Sequence, residues 1–154
     1  MQRKQWIMLA SALACALASA SATAAVRKVE PYELPAYWLL TNTSVNAMVP
    51  NSGPDVHQPG CVSVRFTIGP DGQPHDVELG KVEPPSSLGP TAIGIVKQFR
   101  YVPSPRNRLQ RPVATYYTVQ FNLRDKSDAE KRRLTEACAL AGYGQSRAAS
   151  FTVE

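Results

Sequence analysis

The sequence predicts an α+β domain: a small antiparallel three-stranded sheet with one packed helix, ordered strand-strand-helix-strand, and an extra C-terminal helix. Three observations predict it. Residues 61–68 and 113–123 alternate apolar and polar side chains, the period of a strand with one buried face. Gly69-Pro70-Asp71-Gly72 follows the first run and is a hairpin signal, because Pro presets φ and Gly permits a positive φ. Between the runs, Ala92, Val96 and Phe99 fall at i, i+4 and i+7, one face of a helix. Thirteen Pro and nine Gly argue against an all-helical alternative.

The chain begins with Arg3 and Lys4, an apolar run from Trp6 to Ala18, and a tract of small residues to Ala25. That order describes a secretory signal peptide over residues 1–24. Ala22-Thr23-Ala24 fits the cleavage pattern, with Ala20-Ser21-Ala22 as a second choice. Cleavage places the product in the periplasm. The alternative is an uncleaved inner-membrane signal anchor facing the periplasm, since a bilayer span needs about 20 apolar residues. Cys15 lacks a Leu three places upstream, where a lipoprotein signal usually carries one. Loss of residues 1–24 takes Arg3 and Lys4 from 17 cations against 12 acids, so the net charge falls from +5 to +3. Cys61 and Cys138 then remain, and an even count in an exported protein reads as a disulfide rather than two buried thiols.

Residues 25–59 read as an irregular lead-in with one short helix, punctuated by Pro31, Pro35, Pro50, Pro54 and Pro59. Its one apolar piece, Tyr37-Trp38-Leu39-Leu40, is expected to pack on the domain. In the first strand Val62, Val64, Phe66 and Ile68 form the core face, and Cys61 points away from it. Val77 and Leu79, between Asp76 and Glu78, mark a second strand to about Val82, ended by Pro84-Pro85-Ser86-Ser87. Pro90 can open the helix, Gly94 weakens it, and Pro103 stops it. A polar loop leads to the last strand.

Residues 124–154 are a helical extension. Ser127 and Glu130 match a capping box, and Leu134, Ala137, Cys138 and Ala141 share a face of a helix of about 14 residues with Gly142 as its cap. A Cys61–Cys138 bond would draw that helix against the start of the first strand or across the outer sheet face. The end, residues 150–154, is β-prone. It is either a cover for the edge of the last strand or a frayed terminus.

No Gly-x-Ser-x-Gly or phosphate-loop pattern appears, and His57 and His75 lack the further ligands that zinc needs. No catalytic residue, metal site, cofactor or small-molecule substrate is expected. Between Glu83 and Asp125 there is no acid, while Lys97, Arg100, Arg106, Arg108 and Arg111 fall there. That basic patch suits an anionic lipid, lipopolysaccharide or an acidic peptide, or is a solvated loop. Export excludes nucleic acid.

From Gly60 to Leu123 the chain resembles the C-terminal domain of the TonB family. The residues that carry the likeness are Gly60 with its alternating strand, Pro70-Asp71-Gly72 at the hairpin, and Val77-Glu78-Leu79 in the second strand. Phe99-Arg100-Tyr101-Val102-Pro103 ends the helix, and Phe121-Asn122-Leu123 ends the last strand. The resemblance implies that fold, and binding of an extended segment of an envelope or outer-membrane transport protein by strand addition. It places the accepting edge at the last strand, where Tyr116, Thr118, Gln120 and Asn122 face away from the core. Tyr116 alternatively packs beneath the final helix. Family members are anchored in the inner membrane and cross the periplasm on a long Pro-rich spacer. Residues 25–60 would reach about 110 Å at full extension. Two roles stay open: energy-coupled transport, or a stand-alone envelope adaptor on the same fold.

Overall fold

The computed structural model describes residues 25–42, 44–48 and 57–143. In chain order these hold β1 (Arg27–Lys28), β2 (Trp38–Leu40), β3 (Gly60–Ile68), β4 (Pro74–Glu83), α1 (Gly89–Lys97), β5 (Tyr101–Pro103), β6 (Val113–Phe121) and α2 (Asp128–Ala137). The signal-peptide reading of residues 1–24 and the tail reading of residues 150–154 lie outside the described residues. Among the described residues no helix is long and apolar enough to cross a membrane.

The three strands expected from the sequence form β6-β3-β4, with β3 antiparallel to both neighbours. Two features correct the expectation. First, the sheet has four strands, because β1 adds to β6 in parallel. Second, the lead-in is not irregular: it supplies β1, a 3₁₀ turn at Leu34–Ala36, and β2. β2 pairs antiparallel with β5, Trp38 opposite Pro103 and Leu40 opposite Tyr101. Strands of two or three residues are too short to show a period, and distant segments fix them.

The core face follows the predicted alternation. Val62, Val64, Phe66 and Ile68 of β3 meet Ala92, Ile95 and Val96 of α1, with Phe99, Tyr101, Val113 and Val119. Each Val, Ile or Phe among these stabilises the fold by about 1.5–3 kcal/mol when fully buried. Pro sits in the first turn of α1, where no N–H is missed. Gly72 has φ +70°, and a Cβ there would collide with the Tyr101 carbonyl oxygen. Its own carbonyl accepts the Tyr101 N–H at 2.9 Å, which ties the hairpin turn to β5.

The other sheet face is covered as well. Cys61 and Ser63 are fully buried, although their alternation marks them as the outward set. α2 lies over them. Cys61 and Cys138 are joined by a disulfide, Cα–Cα 6.2 Å, which draws the end of α2 onto the outer face at the start of β3. α2 ends sooner than expected. The Cys138 N–H is shared by the carbonyls of Leu134 and Thr135 at 3.1 and 3.2 Å, a tightened last turn. Ala141 is exposed, and Gly142, at φ +85°, turns the chain beyond the helix.

The capping box opens α2 as predicted. Ser127 Oγ accepts the Glu130 N–H at 3.3 Å, and Glu130 Oε2 accepts the Ser127 N–H at 3.2 Å. The Ser127 N–H, and then its hydroxyl at 3.0 Å, donate to the Glu130 carboxylate and hold its pKa below the ordinary carboxylate range. Ser127→Ala should therefore lower stability by about 1 kcal/mol. Amide exchange should rise first in residues 128–131. Unchanged protection there would show that the cap does not set the helix start.

Candidate functional site

A sheet edge is a template for another chain, and two stretches of edge are open here, β4 and the part of β6 beyond the two-residue β1. β4 is blunted. It begins with Pro74, carries His75, Asp76, Glu78, Lys81 and Glu83, and shifts register against β3 at two places. Glu78 is paired with Arg65 at 2.8 Å. β6 has none of these devices. Residues 113–121 include no charge and no Pro, and its register with β3 is unbroken.

β1 borders β6 only at Val113 and Ala114. Val29 N–H donates to the Ala114 carbonyl at 2.9 Å, and Thr115 Oγ1 donates to the Val29 carbonyl at 3.0 Å. The Ala114 carbonyl thus points away from β3. Backbone groups of alternate residues in an antiparallel strand point to the same side. Tyr116, Thr118 and Gln120 therefore turn their N–H and C=O outward, and Val119 turns its own to Val62 of β3. Among the described residues no strand pairs with this stretch.

A groove of about 860 Å³ runs along it. Glu30, Pro31 and Tyr32 close one end, Leu40, Asn42 and Val45 stand on the lead-in side, and Ile95 and Phe99 come from the α1 side. Thr135, Glu136 and Ala139 form the α2 side. Tyr32 is 75% exposed, while Leu40 and Tyr117 are each 42% exposed, so the groove offers apolar surface. Phe99 holds Tyr117 edge-on at 5.0 Å between centroids.

The side chains predicted to meet a partner face α2 and its flanks. Tyr116 donates to Glu30 Oε2 at 3.0 Å and packs edge-on to Tyr143 at 5.2 Å. Burial, then the Glu30 hydrogen bond, pushes its phenol pKa up. Thr118 Oγ1 shares a hydrogen bond with Ser63 Oγ at 2.8 Å, and Ser63 Oγ donates in turn to the Cys138 carbonyl. Gln120 Nε2 donates to Thr135 Oγ1 at 2.5 Å. Asn122 lies past the strand at φ +56°, with Nδ2 donating to the Gln58 carbonyl at 3.0 Å. The first three reach the open edge through backbone, not side chain. Tyr32, Leu40 and Tyr117 were not singled out as groove residues. The apolar piece at residues 37–40 was the one signal for Leu40.

The basic patch divides. Lys97 and Arg100 sit at the C-terminal end of α1, where Arg100 Nη1 donates to the Lys97 and Phe99 carbonyls at 3.1 and 2.6 Å. Cations suit that end of a helix. Arg106, Arg108 and Arg111 line a separate pocket together with Arg27. At the hairpin turn His75 Nε2 lies 3.0 Å from Asp71 Oδ1, and that hydrogen bond lowers the Asp71 pKa. Among the described residues no group of three or more His, Cys, Asp or Glu could hold a metal ion.

The family described as Gram-negative bacterial TonB protein C-terminal matches residues 55–123. That stretch forms a TonB C-terminal-like domain. The match takes in β3, β4, α1, β5 and β6, and leaves β1, β2 and α2 outside the TonB-like part. The segments outside the match, Glu30 to Val45 and α2 with Ala139, supply three borders of the groove. The solution NMR structure of the Pseudomonas aeruginosa TonB C-terminal domain is 18% identical, with a TM-score of 0.41 over 58% of this chain and 90% of that chain. No curated protein matches the chain.

Proposed function

We propose that this chain is a periplasmic protein-interaction module that takes an extended peptide of an envelope or outer-membrane transport protein onto the β6 edge. TonB-family domains are periplasmic and interact with outer-membrane proteins, which supports the kind of partner. The observation that carries the reading is the uncharged β6 edge, with Tyr116, Thr118 and Gln120 turned outward along a groove. A peptide strand there gains backbone hydrogen bonds, and its alternate side chains meet Tyr32, Leu40 and Tyr117.

Of the two roles, one observation favours the stand-alone adaptor. Residues 27–40 fold onto the domain as β1 and β2, so they give no free reach across the periplasm.

A photocrosslinking residue at Tyr117 tests the reading in intact envelopes. It should capture an outer-membrane protein, and Thr118→Pro should cut capture at least tenfold. Pro is tolerated on an edge strand whose N–H faces outward, so this variant keeps the β3 ladder. Gln120→Pro, one outward position further along, serves as the second variant. Capture unchanged by both substitutions in folded protein would refute edge binding.

A further inference from the structure

A second pocket, about 920 Å³, is lined by the start of β1, whereas the groove begins past its end at Glu30. Arg27, Arg106, Arg108 and Arg111 line it, with no Asp or Glu among its lining residues. Among the described residues none of the four forms an ion pair. Like charges gathered without an acid repel one another, and a bound anion relieves that.

The loop that displays them is built, not slack. Ser104 and Asn107 are buried polar residues. Ser104 Oγ donates to the Ala36 carbonyl at 2.6 Å and accepts the Arg106 N–H at 3.2 Å. Asn107 Oδ1 accepts the Arg111 N–H at 2.9 Å, and Asn107 Nδ2 donates to the Arg111 carbonyl at 3.1 Å. Trp38 Nε1 donates to the same carbonyl at 3.1 Å. The backbone is thus fixed by buried partners while the guanidinium groups face water. Arg27 is steadied from the other side: Nη1 donates to Tyr37 Oη at 3.1 Å, and its guanidinium lies 5.5 Å from the Tyr37 ring centre. Each guanidinium has five donors in a fork that fits phosphate oxygens.

The rim adds a second property. Leu109 is 76% exposed and Val26 is 44% exposed, and both line this pocket. A soluble anion has no use for apolar side chains beside the cations. A lipid offers a phosphate and, below it, the start of its acyl chains. We propose that this pocket binds the phosphate headgroup of an anionic lipid, with Leu109 and Val26 set into the adjoining apolar layer. In the sequence Ala25 and Val26 directly follow the apolar and small-residue segment, so the site lies where the chain leaves that segment.

The test uses the full chain and flotation with vesicles of phosphatidylcholine, with or without one part in three of phosphatidylglycerol. The ratio of the two partition coefficients removes any contribution of the N-terminal apolar run. Arg106→Ala/Arg108→Ala should lower that ratio roughly tenfold or more, as expected for two cations at an anionic surface. Lys97→Ala/Arg100→Ala removes the same charge outside the pocket and should leave most of the preference. Circular dichroism establishes that both double variants are folded. Equal losses from the two pairs would mean bulk charge alone and overturn the site. Competition by millimolar inorganic phosphate would assign the pocket to free phosphate instead. Binding of poly-glutamate lost in the same pocket variant, without a phosphatidylglycerol preference, would assign it to an acidic peptide.

Discussion

Replacing Trp38 by alanine should lower stability by about 3–5 kcal/mol, the usual loss for a buried aromatic truncated to a methyl group. Trp38 is fully buried, lies in β2 opposite Pro103, and packs within the core. Its indole N–H also holds the Arg111 carbonyl. Two effects are thus joined in one side chain, and a second substitution separates them. Trp38→Phe keeps most of the packing and removes the donor, so it should cost about 1–2 kcal/mol. The Arg111 carbonyl keeps its bond from Asn107, which limits that loss. Urea unfolding gives both values. A loss below about 1 kcal/mol for Trp38→Ala would mean that β2 unfolds separately from the sheet.

The burial of Trp38 was legible in the sequence, whereas its strand was not. An apolar piece in a Pro-rich segment has to pack somewhere, but three residues show no period. β3 and β6 were legible because eight or more residues alternate. At Cys61 and Ser63 the alternation gives the outer face correctly; that α2 covers this face follows not from the period but from the Cys61–Cys138 pairing. Among the described residues most of β6 keeps one unpaired side, but the strand's period does not give the direction of that edge. Tyr116, Thr118 and Gln120 share an outer face, and that face is under α2, so only their backbone reaches the groove. Strand period gives side-chain direction. Backbone direction follows from the pairing with β3, which no local pattern shows. For this reason Val119→Pro would break the β3 ladder, and Thr118→Pro is the variant that isolates the open edge. The arginine pocket was half legible. Arg106, Arg108 and Arg111 lie close in sequence, but Arg27 joins them only through the parallel pairing of β1.

Reduction of the disulfide should lower stability by about 4 kcal/mol. Cys61 and Cys138 are 77 positions apart, and closing a loop of that length removes much of the freedom of the unfolded chain. In a domain of this size that is a fall in Tm on the order of 15 °C. The loss should be uneven along the chain, because α2 has little else to hold it. None of its residues is buried, and Leu134 and Ala137 are only half-buried. Its polar ties include the Ser63 bond to the Cys138 carbonyl and the Gln120–Thr135 contact. Burial of a few half-covered side chains cannot offset the ordering of ten helical residues. Reduced protein should therefore show raised amide exchange over residues 128–138 below the melting temperature, while residues 60–68 stay protected. The groove would lose the side made by Thr135, Glu136 and Ala139, and peptide capture at β6 should weaken under reducing conditions. A Cys61→Ala/Cys138→Ala pair should behave as the reduced protein does, which excludes an effect of free thiols. If the reduced and oxidised forms melt within a few degrees of each other, with equal exchange in α2, then the helix is held by its own packing and the bond is redundant.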